Sequence, residues 1–180
     1  MKKILLFLLL ITSLYSEEQA YIGLGYGSFN EKFTNNETTE SSSNFTSVKA
    51  GYGEREKYAI EFSLQYIDNK SKIFSVNDSE KYGFNLDLLK SFDLGIYINP
   101  FFKAGFGFGY LTIDREIQDL LHYGVFDCGV GVFIPLSEHL DIELGYIYKY
   151  TTYEGIDTIV DKISYSSHTN AAYIGLNTRF

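Results

Sequence analysis

The chain has 180 residues, 15 basic and 23 acidic side chains, a formal charge of −8, and 17% aromatics with no tryptophan. This length suits one domain, and the acid excess excludes duplex nucleic acid as a partner, because phosphate neutralisation needs clustered Lys and Arg. A 45% apolar content with two prolines excludes a disordered chain, and the single cysteine, Cys128, can form neither an internal disulfide nor a thiolate metal cluster.

At the N-terminus, Lys2 and Lys3 precede an apolar run from Ile4 to Ile11, which ends through Ser16 in Glu17 and Glu18. This is the pattern of a secretory signal peptide. The run is well short of the roughly 20 apolar residues of a spanning helix. Residues 1–16 are therefore read as a leader cleaved after Ser16, and residues 17–180 as one exported domain. Its removal deletes two lysines and no acids, so the exported part is more acidic still.

Beyond the leader the sequence has a period of two. Tyr58, Ile60, Phe62, Leu64 and Tyr66 alternate with Ala59, Glu61, Ser63 and Gln65; Phe102 to Tyr110 and Leu140 to Tyr150 repeat the pattern. Strict alternation over this length predicts strands. Eight segments follow in chain order, at 19–29, 44–53, 57–67, 81–89, 100–112, 123–134, 140–150 and 165–180, most of them near the 9–11 residues that a tilted strand needs to cross a bilayer. Four connections, 31–43, 68–80, 113–122 and 151–164, are long and polar, whereas 54–56 and 135–139 are short. The connection 90–99 departs from this alternation, with Ile96, Tyr97 and Ile98 expected to extend its hairpin. The fold class predicted is all-β: a transmembrane up-and-down antiparallel barrel of eight strands with both ends in the periplasm. Closure is required, because an open edge in lipid leaves N–H and C=O groups without partners.

Within each segment the large apolar side chains share one parity. A soluble barrel would point that parity inward; the aromatics argue for the opposite. Tyr26, Tyr66, Tyr82, Tyr110, Tyr148 and Tyr150 fall toward the long-loop rim and Tyr52, Tyr58, Phe102 and Phe180 toward the short-turn rim, with Ile60, Phe62, Leu64, Leu86, Ala104, Phe106, Val130, Leu144, Ile174 and Leu176 between them. Two aromatic girdles around an aliphatic band describe a barrel wall in a bilayer. Cys128 shares the outward parity as a small apolar group.

The inward parity carries a lumen ionic network. Its acids are Glu61, Asp87, Asp127, Asp141 and Glu143, its bases Lys49, Lys103, Lys149 and Arg179. Inward glycines, including Gly25, Gly51, Gly83, Gly105, Gly107, Gly129, Gly131, Gly145 and Gly175, are expected to make room for the long charged side chains. Eight strands leave an interior just wide enough for side chains to fill, so the charges should pair across it, Arg179 with Asp141 and Glu143. A plug of ionic side chains is expected, with a narrow pore as the alternative.

With these segments placed, the chain resembles the small eight-stranded outer-membrane barrel families, the outer-membrane protein A barrel and OmpX-like proteins among them. The segments Tyr21-Ile22-Gly23-Leu24-Gly25-Tyr26-Gly27 and Leu140-Asp141-Ile142-Glu143-Leu144-Gly145-Tyr146 are similar to their first and seventh strands. The end, Tyr173-Ile174-Gly175-Leu176-Asn177-Thr178-Arg179-Phe180, is similar to their C-terminal assembly signal, with Gly175 and Phe180 in the matching places and Thr178 where an apolar residue is usual. The resemblance implies a bacterial outer-membrane location, contact with outer-membrane lipid and lipopolysaccharide, and handling by the barrel assembly machinery during insertion. Members include structural proteins, adhesins and a few enzymes, and the fold does not choose among them.

Signs of chemistry are sparse. His122, His139 and His168 are not spaced as metal ligands, and the runs from Gly23 and from Gly105 lack the spacing and following helix of a phosphate loop. No metal or cofactor is expected. Ser166, Ser167 and His168 stand near the outer end of the last strand, and His168-Thr169-Asn170-Ala171 is similar to the His-x-Ser-Asn run of lipid A deacylases, with Asn170 where the Ser belongs; a nucleophile would also need a base and an orienting acid. Loops 31–43 and 151–164 are acidic through Glu31, Glu37, Glu40, Glu154, Asp157 and Asp161, and loops on a rigid scaffold commonly carry binding. A non-enzymatic envelope or surface role is expected, with the surface ligand open; a small pore and a lipid A-modifying enzyme are the alternatives.

Overall fold

The structure, a computed structural model, describes residues 18–34, 38–68, 80–113, 120–157, 162–163 and 165–180; residues 1–16, expected to be a leader, lie outside them. The alternating segments form long antiparallel strands: β1 (Gln19–Thr34), β2 (Thr38–Gly53), β3 (Tyr58–Asp68), β4 (Glu80–Ser91), β5 (Asn99–Thr112), β6 (Leu120–Pro135), β7 (Leu140–Tyr153) and β10 (Ser166–Arg179), with a small hairpin of β8 (Ile156–Asp157) and β9 (Lys162–Ile163) beyond β7. The eight long strands close into a barrel in the order β1-β10-β7-β6-β5-β4-β3-β2. The first and last strands seal it along a register that runs from Tyr21↔Arg179 to Thr34↔Ser166, so no long strand has a free edge.

Three connections differ from the expectation. The predicted loop 31–43 is mostly strand: β1 and β2 stay paired up to Thr34↔Thr38, leaving only residues 35–37 to connect them. Its polar composition reads as loop, yet on the outside these residues face water above the apolar band, where Asn30, Lys32, Glu40 and Ser42 are exposed and Lys32 pairs with Glu40 at 2.6 Å. Connection 151–164 likewise begins with strand, through Tyr153. In 90–99, Ile96–Ile98 do not extend the hairpin: after Ser91↔Phe101 a single further bond joins Phe92 N–H to the Pro100 carbonyl at 2.9 Å. Gly95 then turns the chain at φ +66°, a left-handed conformation that glycine adopts without strain, and its N–H donates to Asp93 Oδ1 at 2.7 Å.

The large apolar side chains point outward. Leu24, Leu64, Phe106 and Phe108 are each 61–63% exposed, while the opposite parity is buried. This reverses the soluble arrangement and leaves an apolar exterior of the kind that a bilayer covers. Tyr66, Tyr82 and Tyr110 lie in one registered row, their ring centroids 5.2 and 5.1 Å apart.

Inside, glycines seat aromatic rings as well as charges. Tyr21, Phe45, Phe101, Tyr123 and Tyr173 lie against Gly51, Gly27, Gly131, Gly109 and Gly145, each the residue directly opposite in register. Covering a glycine with a neighbouring strand's ring restores the packing that the missing side chain gives up. The expectation that glycines serve the charged side chains is thus corrected at Gly51, Gly131 and Gly145; Gly23 and Gly129 do border Lys49 and Lys103. A side chain at Gly51 would overlap the Tyr21 ring, so Gly51→Val should destabilise the barrel by about 1–3 kcal/mol, measured by urea unfolding in lipid vesicles.

Candidate functional site

The candidate site is the lumen, where the inward parity of eight strands brings all the predicted ionic residues into one column. At the short-turn end Arg179 donates from Nε to Asp141 Oδ2 at 2.5 Å. Asp141 also pairs with Arg55 Nε at 2.9 Å, while Arg55 Nη2 donates to the Ser137 and Glu138 carbonyls at 3.1 and 2.9 Å. A turn arginine thereby crosses the mouth and ties the β2–β3 turn to the β6–β7 turn. The Arg179 guanidinium stacks over Tyr21 and Phe133, 4.8 and 5.6 Å from their centroids, above the buried cluster of Tyr21, Ala59, Leu89, Phe101 and Phe133.

The middle level holds the tightest group. Lys49 bonds Glu143 and stands 3.2 Å from Glu61; Lys103 lies 3.6 Å from Glu61 and 3.7 Å from Asp87. Glu143 further accepts from Tyr173 Oη at 2.5 Å and from Asn177 Nδ2 at 2.9 Å, and Glu61 accepts from Tyr21 Oη at 2.9 Å. Arg179 therefore meets Asp141 but not Glu143, which Lys49 takes instead, because the register sets Glu143 opposite Gly175 and leaves its side chain room to reach across to β2. Asp127 faces Lys149 in register, and Lys149 donates to Gln65 Oε1 at 2.9 Å.

A third level was not foreseen. Glu31, expected in a loop, is 1% exposed and accepts from Lys81 Nζ at 3.0 and 3.2 Å, from Tyr153 Oη at 2.9 Å and from Ser167 Oγ at 2.6 Å. Lys81 also lies over the Tyr123 and Tyr153 rings. The parity was the available signal: Tyr21, Gly23, Gly25, Gly27 and Phe29 point inward, and Glu31 and Phe33 continue the series. With Glu31, Lys81 and Arg55 included, the acids Glu31, Glu61, Asp87, Asp127, Asp141 and Glu143 and the bases Lys49, Arg55, Lys81, Lys103, Lys149 and Arg179 balance in number.

Apolar layers separate and cap these levels. Phe29, Phe45, Ile67 and Ala171 lie between the middle and upper groups, and Phe33, Leu111, Ile113, Leu121, Tyr123, Val125 and Tyr153 close the top. The cavities left beside Lys81 and beside Lys49 and Asp87 amount to about 20 and 30 Å³, room for a water or two in each.

Of the residues considered for hydrolysis, Ser166 and His168 share the outward parity of β10, and the wall separates Ser167 from them. Ser167 faces the lumen and bonds Glu31, whereas His168 faces outward, with Nδ1 2.5 Å from Tyr148 Oη and its ring beside Tyr150. At the chain end Gly175 lies buried opposite Gly25, and Phe180, exposed, donates its N–H to the Ala20 carbonyl at 3.0 Å.

Comparison with known proteins agrees with this architecture. No curated protein matches the sequence. Among solved structures, Neisserial surface protein A (NspA) superposes with a TM-score of 0.68 at 14% identity, over 92% of this chain and 98% of that one. Ail, the attachment invasion locus protein of Yersinia pestis, gives 0.52 at 12% identity over 90% and 99%, and the N-terminal β-barrel domain of Pseudomonas aeruginosa OprF gives 0.50 at 14% over 88% and 97%. At such identities the likeness is one of fold. The outer membrane protein β-barrel domain family matches residues 4–180, nearly the whole sequence, and the chain with its lipid-facing wall and ion-filled lumen belongs to that family.

Proposed function

We propose that this is a non-enzymatic, non-conducting outer-membrane barrel that contributes to envelope structure and presents its outer connections at the cell surface. The observation that supports this reading is the filled lumen: three ionic levels, balanced in acids and bases and separated by apolar layers, with cavities of about 20 and 30 Å³ beside Lys81 and beside Lys49 and Asp87. A path for hydrated ions would have to break all three levels. Most of the acids and bases are engaged with each other, and Lys149 with Gln65, which leaves them poorly suited to act on a substrate. In this reading residues 1–16 direct export, the last strand with Gly175 and Phe180 is handled by the barrel assembly machinery, and the outer tyrosine row meets the lipopolysaccharide leaflet. The surface ligand belongs to the connections above the β3–β4, β5–β6 and β7–β10 ends.

Planar bilayer recording tests this directly. The purified protein should give no reproducible steps at neutral pH; steps whose size changes in Lys103→Ala would overturn the reading in favour of a pore. Lipid A from cells with and without the gene should have the same mass spectrum, and a changed acyl pattern would establish an enzyme instead.

A further inference from the structure

The short-turn rim carries an apolar surface that neither the lumen nor the barrel wall accounts for. Between β4 and β5, Phe92 is 38% exposed, Leu94 59%, Ile96 56% and Tyr97 68%. The β2–β3 turn on this rim is built differently: residues 54–57 are Glu-Arg-Glu-Lys, tied down by the Arg55 contacts and the Glu54–Lys57 pair, and the β6–β7 turn exposes a single large apolar side chain, Leu136. Clustered exposed apolar side chains of this size mark an interaction surface. The question is what covers them.

Three observations point to lipid. First, the cluster is continuous with the lipid-facing wall: the Phe92 ring stands edge-on against Phe102, centroids 5.9 Å apart at 90°, and Phe102 is an outward residue of β5 at the lower girdle. Second, Lys90 Nζ lies 4.1 Å from the Tyr58 centroid and 5.6 Å from that of Phe92. Its ammonium is held on the outside of the barrel at the lower aromatic level, the height at which lipid phosphates lie and where aromatic rings and basic side chains together anchor membrane proteins. Third, Lys90 pairs with Tyr58, the first residue of β3, and Ser91 N–H donates to the Lys57 carbonyl at 2.8 Å, so residues 92–98 begin at the foot of the wall, beside the lower girdle. The Gly95 turn and the Asp93 cap give that tip a fixed shape.

We propose that residues 92–98 form an interfacial anchor, with Leu94, Ile96 and Tyr97 seated in the periplasmic leaflet of the bilayer and Lys90 on its phosphates. The lipid class is a phospholipid with an anionic headgroup. The anchor acts on one side of the barrel, beneath β4 and β5, and fixes the tilt of the barrel and its depth in the membrane.

The sequence contains no tryptophan, so a single introduced indole reports on one place. Tyr97→Trp and Leu94→Trp are folded as full exported chains into vesicles of phosphatidylcholine and phosphatidylglycerol, with or without bromine on the acyl chains, near the headgroup for these two variants and near the chain ends for the control. Both should emit in the blue, lose about half or more of their emission to the brominated lipid as interfacial side chains do, and resist quenching by iodide. Phe106→Trp, in the middle of the wall, is the control for the membrane reading on which the proposal rests. Quenching of Phe106→Trp by bromolipid with both turn variants quenched by iodide instead would leave the membrane barrel intact and overturn the anchor, assigning the turn to a protein partner or to water. Iodide quenching of all three would overturn both. Replacing phosphatidylglycerol by phosphatidylcholine should redden the turn variants' emission; an unchanged spectrum would remove the anionic headgroup from the proposal.

Discussion

Glu143→Ala is expected to destabilise the barrel by about 3–5 kcal/mol, the range for removing one partner of a buried ion pair and leaving the other charge unanswered. Glu143 is fully buried and serves Lys49, Tyr173 and Asn177 at once. Its loss strands an ammonium on β2 whose other acid, Glu61, is shared with Lys103. The measurement is urea unfolding in vesicles followed by far-ultraviolet circular dichroism. Adding Lys49→Met to Glu143→Ala should recover part of the loss, because two apolar groups carry no desolvation debt. A change below about 1 kcal/mol in the single variant, the size of an exposed pair, would mean that the middle level does not hold the barrel.

On the other face of the wall, Phe106→Arg should cost about 2–4 kcal/mol, the figure for a cation at the bilayer midplane of a transmembrane barrel. Phe106 lies in the middle of β5, packed between Leu86 and Phe126 of its neighbours and 62% exposed. The paired measurement is Asn30→Arg, also outward but high on the β1–β2 hairpin, where the expected cost is about 0–1 kcal/mol. In water both substitutions would be mild, so the contrast between them reads the lipid boundary along the wall. Equal small effects would mean that the apolar band is covered by something other than lipid.

How much of this was legible in the sequence depends on the kind of fact. Strand number and facing were open to reading because a period of two survives without any knowledge of neighbours: Phe102 to Tyr110 and Leu140 to Tyr150 alternate as the wall requires. Strand ends were less accessible. β1 and β2 continue past the bilayer, so their outward residues Asn30, Lys32, Glu40 and Ser42 turn polar and imitate a loop, and only the inward series through Glu31 and Phe33 betrays the strand. Ion partners were the least accessible. Lys49 and Glu143 are 94 positions apart and on strands that do not pair with each other, and their meeting depends on the stagger of the whole barrel. Arg55 was hidden for another reason, since a turn residue gives no hint that it reaches back across the mouth to Asp141.

The seam between β1 and β10 has a consequence for how the molecule comes into being. Its fourteen register pairs join the first strand of the barrel to the last, so every such contact waits for β10. The seal also completes Glu31, whose Ser167 partner arrives with β10, and Glu143, which waits for Tyr173 and Asn177. A chain lacking residues 166–179 has two raw borders and leaves Glu31 and Glu143 short of partners. Closure therefore removes both borders and completes two buried acids in one event.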